Sequence, residues 1–278
     1  MCATLIAKES PMTTASQPQV LYERRGPIAI ATLNRPSTLN AMSAGMMDKF
    51  LDILRDADSG TNGIKVLIVT GAGKGFCSGM DVNEMQADKK LGGTPMTWPR
   101  PRPDRQPVMM MRTANIPVIG AINGVAAGGG MGFALGPDIR IMSDKARLIP
   151  IFLKRGLQPD MGTSYTLTKL LGTQKALELI WSADPIGPEE ALRLGLVAKV
   201  VPHDRLLDEA IALADKLVKG PSAAIALAKR AVYRAESGTL DIDLEFGTYG
   251  QERLMRTEDF VEGYKSFLEK REPKFKGQ

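Results

Sequence analysis

Two apolar rhythms divide this chain. In the first half, short apolar blocks alternate with one amphipathic stretch. Residues 20–25 and 28–33, joined at Gly26-Pro27, predict a pair of strands. Asn34-Arg35-Pro36 ends the second strand, because a proline forces the residue before it into an extended conformation. Met46, Met47, Phe50, Ile53 and Leu54 fall at helical spacing and predict a helix from an N-cap at Ser43 to about Asp58. The runs at 66–70 and 118–122 are apolar and β-branched, as expected of parallel strands buried on both faces. This strand–helix–strand order predicts an α/β protein with a parallel sheet covered by helices. Beyond Thr163 the helical rhythm takes over. Leu167, Leu170 and Leu171 form a stripe closed by Gly172, and 175–181, 208–217, 223–236 and 252–271 read as further helices. Their apolar sides predict subunit contacts. The first nineteen residues are small, polar and patternless and lack the apolar core of a signal peptide. The expected organisation is a disordered tail (1–19), a core (20–200) and a helical C-terminal region (201–278).

Composition narrows the function. A chain of 278 residues with 44% hydrophobic residues buries a large core, and no apolar run is long enough to cross a bilayer. The net charge of +5 is scattered and aromatics are few, which argues against a nucleic-acid face. Cys2 and Cys77 form neither a disulfide framework nor a metal-ligand spacing, which suggests a reducing, cytoplasmic setting. His203 is the one histidine and reads as part of a surface turn, so multi-imidazole zinc sites are excluded and no metal is expected. With no histidine to activate it, Cys77 reads as a small packed side chain.

Candidate chemistry lies in two glycine-rich turns. In the first, Gly128-Gly129-Gly130 follows an apolar strand, removes every Cβ where a helix can begin and exposes backbone N–H groups. Such a turn can hold an anion or a developing oxyanion, or merely permit close helix–strand packing. The second, Gly71 to Val82, is neither Gly-x-Gly-x-x-Gly nor a Walker pattern, and Lys74 lacks the Ser or Thr that follows a P-loop lysine. It remains a turn at the carboxyl end of a parallel strand, where α/β proteins bind ligands.

Gly73 to Val82 together with Ile122 to Arg140 resembles the crotonase superfamily, the enoyl-CoA hydratase/isomerase family. Asn34-Arg35-Pro36 with Leu39-Asn40-Ala41, Gly156-Leu157-Gln158-Pro159-Asp160-Met161-Gly162-Thr163, Glu190-Ala191 with Gly195-Leu196-Val197, and the stretch from Thr257 to Arg271 match it in order along nearly the whole chain. The resemblance implies a spiral of ββα repeats in two roughly perpendicular sheets, a helical C-terminal trimerisation region, and a homotrimer or hexamer. It implies an acyl-CoA substrate, with coenzyme A entering as part of that substrate and no separate cofactor. Two backbone amides, carried onto Met80 and Gly129, would hold the thioester oxygen while an enolate forms, and losing one such donor costs about 3 kcal/mol of transition-state stabilisation. Substrate contacts would fall on Thr38, Leu39, Ala41, Gly79, Asp81 and Phe152. Phe267 and Lys270, from this or a neighbouring subunit, would sit near the adenosine and its phosphates, although Lys270 reads equally as a solvated helix-end charge.

The two glutamates of the family's hydratases are absent: their places hold Gly132 and Phe152, neither of which can move a proton. Asp160 is the one acidic residue left at a family active-site position. Some relatives place an aspartate there, among them dienoyl-CoA isomerases, hydroxyisobutyryl-CoA hydrolases and chlorobenzoyl-CoA dehalogenases. Its residue type also suits a helix cap near Met161. Asp160-dependent isomerisation or hydrolysis is therefore expected ahead of ordinary hydration. The alternatives are a non-catalytic acyl-CoA-binding protein or a dehalogenase-like enzyme. Residues 88–107, rich in Pro and Arg, read as a loop beside the acyl pocket or a plain connector feeding a helix at 108–114. Met85 and Met109-Met110-Met111 could line the acyl site or pack in the core.

Overall fold

The computed structural model describes residues 17–81 and 106–277. The expected tail, apart from its last three residues, Met85, and the 88–107 segment up to residue 105 lie outside the described residues. The chain alternates between two sheets. The larger contains β1 (Val20–Arg25), β2 (Ile28–Leu33), β3 (Val66–Gly71), β5 (Val118–Ile122), β7 (Ile139–Ser143) and β9 (Lys199–Val201), in that spatial order. The smaller contains β4 (Gly75–Cys77), β6 (Val125–Ala127) and β8 (Arg147–Ile149). β1 and β2 form an antiparallel hairpin, and every other pairing in the two sheets is parallel.

The alternating side-chain directions of β2 explain why its whole run is apolar. Ala29, Ala31 and Leu33 enter a core with α1 (Ala44–Ala57), Phe76 and α3 (Gly129–Leu135), while Ile28 and Ile30 face the other way. That second face packs on Leu206, Ala210 and Ala214 of α7 (Leu206–Val218). Ser43 caps α1 as expected, its Oγ accepting from Met46 N at 3.1 Å. Phe50 of α1 meets Phe133 of α3 edge-on, with ring centroids 4.9 Å apart.

The remaining helices before α7 are α2 (Pro107–Thr113), α4 (Thr163–Leu171), α5 (Thr173–Ser182) and α6 (Pro188–Arg193). Met111 of α2 is fully buried and Met109 is exposed, so this methionine run is divided between core and surface. A C-terminal arm follows α7: α8 (Ser222–Ala235), α9 (Leu240–Leu254) and α10 (Glu258–Leu268). The single helix expected at 252–271 is thus two helices, because Thr257 breaks the run and caps α10 by accepting from Phe260 N at 3.1 Å.

Candidate active site

β4 runs into Ser78-Gly79-Met80, and this segment is held by one parallel bridge between Met42 and Met80. Met42 N donates to Gly79 O at 2.7 Å, and Asp81 N donates to Met42 O at 3.1 Å. In such a bridge the residue between the two bonded neighbours turns its own N–H to the opposite side. The Met80 amide therefore faces away from Met42, and among the described residues it has no protein acceptor. The Gly129 amide has none either, being the first residue of α3.

Two glycines let the segments that carry these amides approach each other. Gly79 and Gly128 have φ of +95° and +53°, a region that L side chains rarely enter. A Cβ on Gly79 would meet Ala127 O at 2.8 Å and Gly129 N at 3.6 Å, so the 79–80 backbone lies against the start of α3.

The turn before α4 completes the arrangement. Met161 and Gly162 are both left-handed, with φ of +49° and +73°. A Cβ on Gly129 would lie 3.0 Å from Asp160 Oδ1, 2.8 Å from Met42 Cε and 3.4 Å from Met161 Cγ. The open face of Gly129 thus meets a carboxylate flanked by two thioether side chains. The helix-cap reading of Asp160 is corrected here: Gly162 is the N-cap of α4 and no side chain caps it. Asp160 contributes only its carbonyl, which accepts from Thr163 N at 2.9 Å. Its side chain opens to solvent in the single chain, yet the protein around the carboxyl raises its pKa through desolvation, partly offset by its own backbone N–H.

The two positions to which the resemblance assigns the hydratases' glutamates are closed to that chemistry. A Cβ on Gly132 would meet Thr163 Oγ1 at 2.5 Å and Met161 Cβ at 2.7 Å, so the turn that carries Asp160 fills this space. Phe152 is 4% exposed, and its Cε1 would lie 3.9 Å from a Cβ on Gly128, which makes it an apolar wall beside the glycine turn.

The 35–42 loop forms the opposite side. Leu39 and Asn40 are left-handed, with φ of +52° and +57°. The amides of Thr38, Leu39 and Ala41 donate to Arg35 O, Pro36 O and Thr38 O, so they build the loop itself, while the Leu39 side chain stays exposed. Ser78 ties the two walls together, donating through N to Leu39 O at 3.0 Å and through Oγ to Thr38 O at 2.8 Å. The buried Asn40 side chain donates to Ala72 O and Gly75 O, and Asn123 donates to Gly73 O and Gly75 O. Asp81, expected against the substrate, is 3% exposed with its carboxylate 2.6 Å from Arg35.

Phe267 and Lys270 stand elsewhere in the chain. Phe267 lines a groove of about 470 Å³ on the C-terminal arm with Pro221, Leu254, Phe260 and Tyr264. Lys270 is exposed and left-handed, following the last turn of α10. His203 Nδ1 lies 3.1 Å from Ser143 Oγ. Cys77 is buried and its thiol is pushed up to about 12 by desolvation, far from a reactive thiolate. Sequence reasoning did not pick out Met42, Met161, Asn40 and Asn123 as site-forming residues. Asn40 follows an x-Pro turn and Asn123 precedes a glycine, a weak polar signal; two isolated methionines give none.

Residues 23–278 match the family model described as enoyl-CoA hydratase/isomerase. This chain belongs to the enoyl-CoA hydratase/isomerase family. It is an enzyme of that family with the crotonase fold. Among its curated relatives is a protein named probable enoyl-CoA hydratase from Rhodobacter capsulatus, 34% identical over 93% of this chain and 98% of the relative. Another is the 1,2-epoxyphenylacetyl-CoA isomerase of Escherichia coli, 35% identical over 89% of this chain and 94% of the relative. A crystal structure of a putative enoyl-CoA hydratase from Streptomyces coelicolor superposes with a TM-score of 0.86, at 31% identity over 97% of this chain and all of that one. The family thus includes both hydratases and an isomerase among this chain's relatives, and the site geometry bears on which chemistry this member performs.

Proposed function

We propose that this enzyme binds an acyl-CoA thioester, stabilises its enolate with the Met80 and Gly129 amides, and moves a proton with Asp160. The observation that carries this reading is a Gly129 amide without a protein acceptor beside the Asp160 carboxylate, with the likewise unpaired Met80 amide following Gly79, which packs against the start of α3. The thioester oxygen accepts from both amides. The Asp160 carboxylate takes a proton from a carbon conjugated with the thioester, and the electron pair moves onto that oxygen. Returning the proton at another carbon of the same conjugated system shifts the double bond and regenerates the carboxylate, so nothing else is consumed. Two-glutamate hydration has no second proton carrier here, since Gly132 and Phe152 stand in its place. Isomerisation stands as the first choice because a single carboxylate can both take and return the proton; the relative named 1,2-epoxyphenylacetyl-CoA isomerase supports isomerisation of an acyl-CoA in this family, though on an epoxide. Hydrolysis remains the second, because a solvent-open carboxylate can also activate water.

Coenzyme A enters as part of the substrate, and the reading needs no resident cofactor. We place the enzyme in the cytoplasm, in line with its two unpaired-in-sequence cysteines, and among the described residues no helix is long and apolar enough to cross a membrane. The C-terminal region from 201 carries assembly into a homotrimer or hexamer, supported by the exposed Val232, Leu240, Leu244, Phe267 and Leu268 of α8, α9 and α10. In that assembly a neighbour's Phe267 and Lys270 reach the nucleotide end of the substrate. The test is mass-spectrometric turnover of enoyl-, dienoyl-, hydroxyacyl- and aryl-CoA thioesters. Double-bond isomers or free acid dependent on Asp160 support the reading. Turnover that Asp160→Asn leaves undiminished overturns it, and binding without any turnover identifies an acyl-CoA carrier.

A further inference from the structure

The Arg35 guanidinium spans both flanks of the bridge that sets the Met80 amide. Its Nη1 donates to Ala41 O at 2.6 Å, next to Met42, and its Nη2 pairs with Asp81 Oδ2 at 2.6 Å, next to Met80. The base of the side chain is fixed as well. Arg35 N donates to Asn40 Oδ1 at 2.8 Å, and Arg35 O accepts from Thr38 N and Asn40 N. A rigid backbone thus carries a fork whose two prongs hold opposite strands of a single-residue bridge. Such a bridge is a weak restraint by itself: two hydrogen bonds hold the peptide, and Gly79 on one side imposes little.

The pair is also a poor device for stability alone. The side chains of Arg35 and Asp81 are only 20% and 4% exposed, and a desolvated ion pair seldom repays its dehydration. We infer that Arg35, through Asp81 and Ala41, is a positioning residue that aims the Met80 N–H at the thioester oxygen without touching the substrate. Its planar fork suits this task, since a lysine ammonium is a point charge that does not reproduce both fixed directions. The inference rests on the oxyanion reading above and assigns Asp81 to holding the donor segment instead of contacting the substrate.

The test uses the full chain with Arg35→Lys, Arg35→Gln and Asp81→Asn, and but-2-enoyl-CoA carrying ¹³C at its thioester carbonyl. The carbonyl stretching band of the bound thioester, recorded by difference infrared spectroscopy, reports polarisation by the two amides. The expected result is a shift to lower frequency in the parent that is at least halved in each variant. On the thioester that the parent processes fastest, kcat falls about 10- to 100-fold, because a misaimed donor loses part of what a missing donor loses. Affinity for the labelled thioester stays within about threefold, the pattern of an interaction made mainly in the transition state. Variants that keep the full band shift overturn the inference, as do variants whose loss lies in affinity with kcat intact. Arg35→Lys, which preserves charge and most of the packing, decides the matter if the other two do not fold. Its own failure to fold overturns the inference in favour of a purely structural pair. A parent with no band shift rejects the oxyanion reading itself, a result separate from any behaviour of the variants.

Discussion

Asp160 couples catalysis and stability through one carboxyl. Desolvation raises its pKa above the ordinary aspartate value, so the folded protein binds this proton more tightly than the unfolded chain does. The stability contribution is therefore largest below both pKa values and is lost as pH rises through the window between them. At neutral pH the ionised carboxylate is a net cost, and Asp160→Asn is expected to raise the thermal midpoint slightly at pH 7 and to leave it unchanged or lower at pH 3, measured by calorimetry. The same shift sets activity: if the carboxylate is the base, kcat falls on the acid side at a pH above the ordinary aspartate range, and this limb disappears from the residual rate of Asp160→Asn. Gly129→Ala tests the donor. Its Cβ would press on Met42 Cε and on the carboxylate, so kcat is expected to fall about 10²- to 10³-fold, the loss typical of a removed oxyanion donor, in steady-state assays with folding checked by circular dichroism. Met80, Gly129 and Asp160 were reached through the family resemblance, because a glycine-rich strand–helix turn by itself occurs in many folds. Met42 and Met161 were not, because their contribution depends on a one-residue bridge and a left-handed turn that no periodicity announces.

Among the elements, α8 shows how a helix with no buried residue can still be fixed in place. Lys229 donates to Met111 O at 2.7 Å and to Ile116 O at 2.9 Å and pairs with Asp138 at 2.8 Å. Tyr233 donates to the other oxygen of Asp138 at 2.7 Å, under the Arg112 guanidinium, which stacks 4.0 Å above its ring. Arg112 and Lys169 of α4 both reach Glu236, just past the end of α8. Lys229→Met is expected to destabilise by about 3 kcal/mol, since it leaves the mostly buried Asp138 carboxylate without its cation and two carbonyls without their donor, and urea unfolding measures it. Tyr233→Phe removes one charged hydrogen bond and is expected to cost about 1.5 kcal/mol in the same assay. The strands β2, β3 and β5 were readable as short unbroken apolar runs bounded by turn residues, and helix α1 from apolar residues at helical spacing. The three-residue strands of the small sheet are too short to show a period, and the break at Thr257 was hidden inside a continuous amphipathic pattern.

For the whole molecule, the exposed apolar side chains of α8 to α10 set the expectation for assembly. Sedimentation equilibrium is expected to give a mass three or six times that of the chain, and Phe267→Asp with Leu268→Asp to shift it toward monomer and raise the KM for acyl-CoA. A last consequence follows from the strand order. In both sheets, space and sequence run in the same direction: β1-β2-β3-β5-β7-β9 in one and β4-β6-β8 in the other. A ribosome therefore delivers each strand after the neighbour it must dock on, and the nascent chain can wind coil by coil from its N-terminus, as solenoids do. At every moment of synthesis the newest strand presents a bare edge, which closes only when the next coil emerges. Chains released early, after β3 or β5, leave that edge permanently open, so premature termination yields sticky fragments instead of small folded ones.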